Sequence, residues 1–282
     1  MLVTAPSARL RRILSLPAFT SRIRVKKLVR RVADRLSFSS VSKLVEWLGR
    51  RFSPLGRHAF FDPSALAWIP RIEAGWTVIR EELRVVLREG ERIPAFHEIS
   101  PEQLKITQDD KWKTYMLYAY GQKIAENCRR CPQTVRLLQA IPRMKTAFFS
   151  ILAPGKHIPE HEGPYGGVLR FHLGLIVPRL KEACRIRVGS DVAHWEEGKS
   201  LVFDDTYPHE VWNDTDEERV VLFVDFARPM WFPVSVLNEA MIWLFNRSTY
   251  IQHIVGGVED WNRNQGRGAT SEPSVTVGAS GS

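Results

Sequence analysis

The chain has 282 residues, with 40 Lys and Arg against 31 Asp and Glu and a formal net charge of +9. The excess sits at one end: Met1 to Arg57 carry 14 basic and two acidic residues, a net of +12, and the remainder is net −3, which excludes a basic globule. A hydrophobic content of 44%, nine Trp and 14 Phe exclude global disorder, and three cysteines are too few for a disulfide scaffold, which favours a reducing compartment.

The first 57 residues read as a basic amphipathic arm. Val25, Leu28, Val29, Val32 and Leu36 share one helical face, with Arg24, Lys26, Lys27, Arg30, Arg31 and Arg35 around the rest. A second helix is expected over Val41, Leu44, Val45 and Leu48, with Ser39 and Ser40 as N-caps. Such an arm suits an anionic membrane surface. A transit peptide, a nucleic-acid tail and a solvated face packed on the body are the competing readings; no nucleic-acid module follows, and no nucleic-acid partner is expected. No apolar run approaches the roughly 20 residues that cross a bilayer. The nearest, Met230 to Phe245, is broken by Asn238 and Glu239.

A body is expected over 58–232. Residues 63–140 read as mostly helical, with Pro132 at the first position of one helix. From 145 to 229 the texture changes to short β runs at Thr146–Leu152, Val168–Val177, Arg185–Val188, Ser200–Phe203, His209–Asn213 and Val220–Phe226, separated by Gly, Pro and Asp. Closely spaced strands of this kind predict an antiparallel sandwich or barrel. An amphipathic helical segment is expected over 233–263, with the apolar stripe Leu237, Ala240, Met241, Leu244 and Phe245, and a Gly/Ser/Thr-rich tail over 264–282.

The chemically able residues concentrate in the β region: His161 in HIPEHEGPYGG, Arg170 and His172 in VLRFHLGLIV, His209 in FDDTYPHEVW, and Arg219 in ERVVLFVDF. Arg170 and His172 share a strand face by period two, and buried Arg and His require partners from the fold or from a ligand. Two histidines on neighbouring strands can converge on one metal. On pattern alone such a pair is more often a satisfied polar pair. The carboxylate that would commonly complete an iron site two residues after the first histidine is replaced by Gly163; Glu162 would point the other way, and Asp205 approaches only if the turn before His209 folds back. Bland readings stand beside these: ion pairs with Glu210, Asp204 or Asp225 for the two arginines, a plain strand hydroxyl for Ser150, surface positions for His157 and His194, and packing for the Cys128/Cys131 CxxC.

The run HEGPYGGVLRFHLGLIVP, then CRIRVG, then HWEEGKSLVFDDTYPHEVWNDTDEERVVLFVDFARP, with WKTYMLYAYG and AENCRRCPQT upstream, resembles the aspartyl/asparaginyl β-hydroxylase family over about residues 105–229. The resemblance implies an α+β fold with a double-stranded β-helix (jelly-roll) core, and an enzyme that uses iron(II), 2-oxoglutarate and oxygen to hydroxylate an unactivated C–H. It implies that His161 and His209 ligate iron without a carboxylate ligand. Arg219, beside Ser150, would grip the distal carboxylate of 2-oxoglutarate; Arg170 and His172 would lie near the carboxylate that binds at the metal, and Tyr118 would line the substrate pocket.

Relatives divide between enzymes acting on Asp or Asn in proteins and small bacterial enzymes acting on fatty-acyl chains of lipid A or ornithine lipid. The arm and the C-terminal stripe favour an acyl-chain substrate for an enzyme that is cytoplasmic and peripheral on the inner membrane. Asp/Asn hydroxylation in a protein, peptide or amino acid, and a non-catalytic membrane-associated binding module, are the alternatives. The oligomeric state is not legible in the sequence.

Overall fold

The computed structural model describes residues 38–88, 93–247 and 249–268. Val45–Ser282 forms one compact unit, distinct from Met1–Leu44. The helix expected over Val25–Leu36 lies outside the described residues. The second is present as α1 (Phe38–Phe52), which starts at Phe38 and so places Ser39 and Ser40 within its first turn rather than as caps. The compact unit therefore begins before the expected boundary at Arg57. Arg50 is the physical reason: its guanidinium donates to Thr206 Oγ1 at 2.8 Å, lies 3.7 Å from the buried Asp204 carboxylate and covers the Tyr207 ring.

A helical layer follows: α2 (Ile69–Ala74), α3 (Trp76–Arg88), α4 (Phe96–Ile99), α5 (Ala125–Arg130) and α6 (Pro132–Leu138). Helix α3 buries Ile79, Leu83 and Val86, one face at helical spacing. Its Glu82 carboxylate accepts from the backbone N–H groups of Gln133 and Thr134 at 2.7 and 2.8 Å, satisfying the N-terminus of α6 where Pro132 opens the helix. The region is not helical throughout. Strand β2 (Trp112–Ala119) interrupts it, paired with β3 (Gln122–Lys123). Both faces of β2 are largely buried, so its sequence lacks the alternation that marks a half-buried strand.

The β core contains β1 (Phe60–Phe61), β4 (Met144–Leu152), β5 (Lys156–His161), β6 (Val168–Ile176), β7 (Cys184–Val188), β8 (Asp191–His194), β9 (Ser200–Phe203), β10 (His209–Asn213) and β11 (Arg219–Ala227). Two antiparallel sheets result, ordered β1-β9-β6-β11-β4-β2-β3 and β5-β10-β7-β8. They make the double-stranded β-helix that the family resemblance implies, with helices on the outer face of the larger sheet.

Alternation in the central strands fixes the layers. In β11, Val220, Leu222, Val224 and Phe226 join Leu169, Phe171, Leu173 and Leu175 of β6 in the core beneath the helices. The opposite face of the larger sheet meets the smaller sheet, where Leu152 of β4, Val221 of β11 and Phe203 of β9 cluster with Ile158, Ile186, Val188 and Val211. Arg170, His172 and Arg219 lie on that inter-sheet face. At the C-terminus, α7 (Val234–Phe245) and α8 (Thr249–Gly268) cover one end. Ile254 and Val258 of α8 pack against Met116, Phe148 and Phe223. Helix α8 runs past the point where a tail was expected to begin, and 269–282 lie outside the described residues.

Candidate active site

His161 ends β5 and His209 begins β10, and the two face each other in the ladder with ring centroids 4.1 Å apart and planes tilted by 49°. A register irregularity between His209 and Val211 bends the pair at this edge. Each ring is held by the carbonyl two residues earlier: His161 Nδ1 with Pro159 O at 2.8 Å, and His209 Nδ1 with Tyr207 O at 3.0 Å. With Nδ1–H committed to a carbonyl, Nε2 keeps its lone pair, the arrangement in which imidazole serves as a metal ligand. Burial reinforces it. Desolvation lowers the pKa of both rings, His209 to about 3, so each stays neutral near pH 7.

Among the described residues no third His, Cys, Asp or Glu joins the pair in a metal-binding cluster. Gly163 explains part of this. Its N–H donates to Asp205 O at 2.7 Å, and a Cβ built on it would overlap the Asp205 carboxylate. The turn before His209 thus does fold back towards Gly163. The Asp205 carboxylate, however, is held by Arg170 Nη2 at 2.8 Å, while Arg170 Nε donates to Asp225 at 3.0 Å. Asp225 is the ion-pair partner that the bland reading of Arg170 named. With two carboxylates on one guanidinium, Arg170 orders this wall of the site, and its charge is already matched. Burial pushes the Asp205 carboxyl up to about 7 against the pull of Arg170.

Arg219 is the opposite case. It is 2% exposed, its Nε and Nη1 have no hydrogen-bond partner, and no carboxylate pairs with it among the described ion pairs. Its guanidinium stacks over the Trp195 ring at 4.5 Å, and burial lowers its pKa to about 10, with the Cys184 thiol opposing. Trp195 also joins Arg219 to His172: its Nε1–H donates to His172 Nδ1 at 3.4 Å. That assigns the remaining proton of the neutral His172 ring to Nε2, which is buried and without a partner.

One strand further, Ser150 Oγ accepts from Trp112 Nε1 at 3.0 Å and keeps its own O–H to donate. Thr114 stands opposite Ser150 in the β2/β4 ladder, and its buried Oγ1 has no partner. Arg219, Leu152 and Trp112 form the adjacent rung. Inter-sheet strands thus place unpartnered donors at Arg219, His172 and Thr114 on the face that carries Ser150. Buried polar groups left without partners require one from outside the described hydrogen bonds, and a buried cation without an acid is chemically suited to an anion.

Tyr118 requires a correction. The irregularity in β2 between Met116 and Tyr118 turns Tyr118 to the helical side, where it packs on the main core and its hydroxyl bonds the Cys128 thiol. It does not line the inter-sheet face. Cys128 donates to Leu117 O at 3.2 Å and Cys131 is fully buried, as the packing reading requires. His157 and His194 are on the surface, engaged by Glu210 and by Lys181 O. Thr114, Trp112 and Trp195 escaped the sequence reading: WKTY and HWEEG contain them, but only the sheet order brings them to Arg219.

These features define a double-stranded β-helix protein with a two-histidine edge and a buried, carboxylate-free arginine on its inter-sheet face. The family model for aspartyl/asparaginyl beta-hydroxylase matches residues 73–229, and the chain belongs to that family of hydroxylases. It is 42% identical over 226 residues to an ornithine lipid ester-linked acyl 2-hydroxylase of Rhizobium tropici, covering 80% of each chain. It is 34% identical over 170 residues to the aspartyl/asparaginyl beta-hydroxylase of Homo sapiens, covering 58% of this chain and 22% of that one. Among solved structures, a prolyl-4-hydroxylase of Pseudomonas putida aligns with a TM-score of 0.40 and 17% identity over 65% of this chain and 98% of that chain.

Proposed function

We propose that this hydroxylase binds iron(II) through His161 and His209 and 2-oxoglutarate through Arg219, and hydroxylates a fatty-acyl chain of a membrane lipid of the ornithine-lipid or lipid A type. The observation that carries the cofactor assignment is Arg219, a buried guanidinium with unpartnered nitrogens on the same inter-sheet face as the unpartnered His172 Nε2–H. The donor set fits both groups: two neutral imidazoles with free Nε2 for the metal, and a cation with neighbouring neutral donors for a dicarboxylate. When bound, iron(II) with oxygen and 2-oxoglutarate supplies the oxidant, consuming 2-oxoglutarate to succinate and carbon dioxide as one oxygen atom enters the C–H bond.

The chain's own residues do the rest. Arg219 and the Ser150 O–H hold the distal carboxylate. His172 Nε2–H donates to the other end, while Trp195 fixes its tautomer. Arg170 is a positioning residue that holds the Asp205 and Asp225 carboxylates in the wall beside His161 and His209. The apolar walls from Phe203, Val221 and Phe223 exclude water from the reacting centre.

The acyl substrate is supported by the Rhizobium tropici relative, matched along 80% of its length. The basic arm would bring the enzyme to an anionic membrane surface, on the cytoplasmic side of the inner membrane. The first test is succinate formation from 2-oxoglutarate with added iron(II): wild type should turn over, and His161→Ala and His209→Ala should lose roughly 100-fold or more. Lipid extracts of cells with active protein should then show acyl chains heavier by one oxygen. An unchanged lipid profile alongside a hydroxylated Asp or Asn peptide would replace the lipid reading, and equal slow turnover by wild type and both variants would remove the enzymatic one.

A further inference from the structure

Helix α7 carries its apolar residues on the wrong side for a helix that only packs on its own body. Met241 and Ile242 are buried, but Val236, Leu237, Trp243 and Leu244 are exposed and share a face at helical spacing. The turn entering the helix adds Trp231 and Phe232, the latter 83% exposed. The expected C-terminal stripe is thus split, with Met241 turned inward and Phe245 packed on Tyr120. Three large aromatics and three aliphatics exposed within one 14-residue turn-and-helix segment are more than scattered surface hydrophobics.

We propose that this face is a membrane-docking surface, which inserts the α7 aromatics among lipid headgroups and sets the mouth of the active site against the bilayer. Charge identifies the occupant. The one carboxylate of α7, Glu239, is already held by Arg143 and Lys145, and Glu46 of α1 by Arg50. Arg247 lies at the C-terminal end of the face, its guanidinium over the Trp243 ring at 3.5 Å, and Arg51 is exposed on α1 beside the Trp231 turn, which bonds Phe52 O. Apolar surface rimmed by cations complements anionic lipid. A second copy docked symmetrically would instead bring the same cation-rimmed patch onto itself. At 12 residues α7 is far too short to span, and no helix among the described residues is long and apolar enough to cross a membrane, so the contact is interfacial.

The face is also tied to the site. Asn238, on the buried side of α7, accepts from Tyr165 OH at 2.7 Å and donates to Gly167 O at 2.8 Å, so α7 is bonded directly to the loop that follows His161. Docking would therefore orient that loop towards lipid and shorten the path of an acyl chain to the histidines. This functional link rests on the acyl-chain reading above; the docking itself does not.

The test uses the full chain, with vesicles of phosphatidylcholine and phosphatidylglycerol carrying brominated acyl chains. At about 0.5 M salt, surface electrostatics from the arm are largely screened while apolar insertion persists. Wild type should cosediment and show tryptophan quenching. The double variant Phe232→Ser/Trp243→Ser changes only exposed side chains; thermal unfolding should match wild type, partitioning should fall by about 100-fold, and lipid-free turnover of 2-oxoglutarate should be unchanged. The proposal is overturned if wild type is not quenched, if the variant partitions equally, or if wild type without lipid is a dimer that the variant dissociates. If the vesicles bind but no acyl chain is oxidised, the substrate reading fails alone. If detergent-dispersed lipid is hydroxylated without vesicle binding, docking fails alone.

Discussion

The carboxylate of Asp205 fills the space that a side chain at Gly163 would need. Glycine there is a packing requirement: any Cβ must displace a buried carboxylate from Arg170. Gly163→Ala should destabilise the fold by about 1–3 kcal/mol, as overpacking of a buried site does, and weaken iron(II)-dependent turnover. Gly163→Asp should be worse on both counts, because it puts a second carboxylate beside Asp205. Urea denaturation and iron(II) titration of the three proteins check this. Tighter iron binding by Gly163→Asp with unchanged stability would show that the space is free.

For Arg219, stability and function should move in opposite directions. Its buried charge lacks a carboxylate, so Arg219→Met should leave the ligand-free protein as stable as wild type or more stable by about 1 kcal/mol. Loss of the charge-assisted bonds to 2-oxoglutarate should raise its KM by about 100-fold or more. Thermal unfolding with and without 2-oxoglutarate separates the two: the wild-type melting temperature should rise with ligand and that of Arg219→Met should not. Strong destabilisation of the ligand-free variant would instead show that the Trp195 ring and the Cys184 thiol satisfy the guanidinium without a ligand.

The same residues show what a sequence can carry. Strands β9 and β10 begin and end where the period-two pattern predicts, because one face of each meets the other sheet. Strand β5 was not legible: KHIPEH contains Pro159 and four titratable residues, and it pairs on only one side at the edge of the smaller sheet. The histidines and arginines were identifiable from type, spacing and resemblance, whereas the partnering of each arginine was not. Arg170 and Arg219 look alike in sequence, each in an apolar strand. Only the register places Asp225 opposite Arg170 and leaves Leu152 opposite Arg219. Likewise the +12 arm ends in the body, because Arg50 finds Asp204, Thr206 and Tyr207 more than 150 residues away.

Acid should unfold the protein partly through His172. Burial, and the neighbouring Arg219 and Arg170, hold its pKa well below the ordinary value near 6.5. Below about pH 6.5 the unfolded chain therefore binds a proton at this residue that the native state refuses. The stability that the neutral ring contributes is complete above that pH and is lost progressively as the pH falls. Melting temperatures of wild type and His172→Asn, compared from pH 7.5 to 5 with a chelator present, should converge on acidification. A gap that is constant across the range would mean that His172 titrates normally in the folded protein.

Ser150 and Thr114, opposite one another on β4 and β2, should separate structural from cosubstrate roles. Ser150→Ala removes the acceptor of Trp112 Nε1–H, leaving a buried donor unmet at a cost of about 1–3 kcal/mol whether or not 2-oxoglutarate is present. It also removes a donor from the proposed 2-oxoglutarate subsite, so KM for 2-oxoglutarate should rise as well. Thr114→Val is nearly isosteric and deletes a hydroxyl that already lacks a partner, so the ligand-free protein should be unchanged or more stable by up to about 1 kcal/mol. Its only loss should be a rise of about 3- to 10-fold in KM for 2-oxoglutarate with kcat preserved, the mark of a contact made equally in ground and transition states. Steady-state kinetics beside thermal unfolding of both variants decide the matter: an unchanged KM in Thr114→Val would assign that hydroxyl to strand packing and leave Ser150 and Arg219 to hold the distal carboxylate.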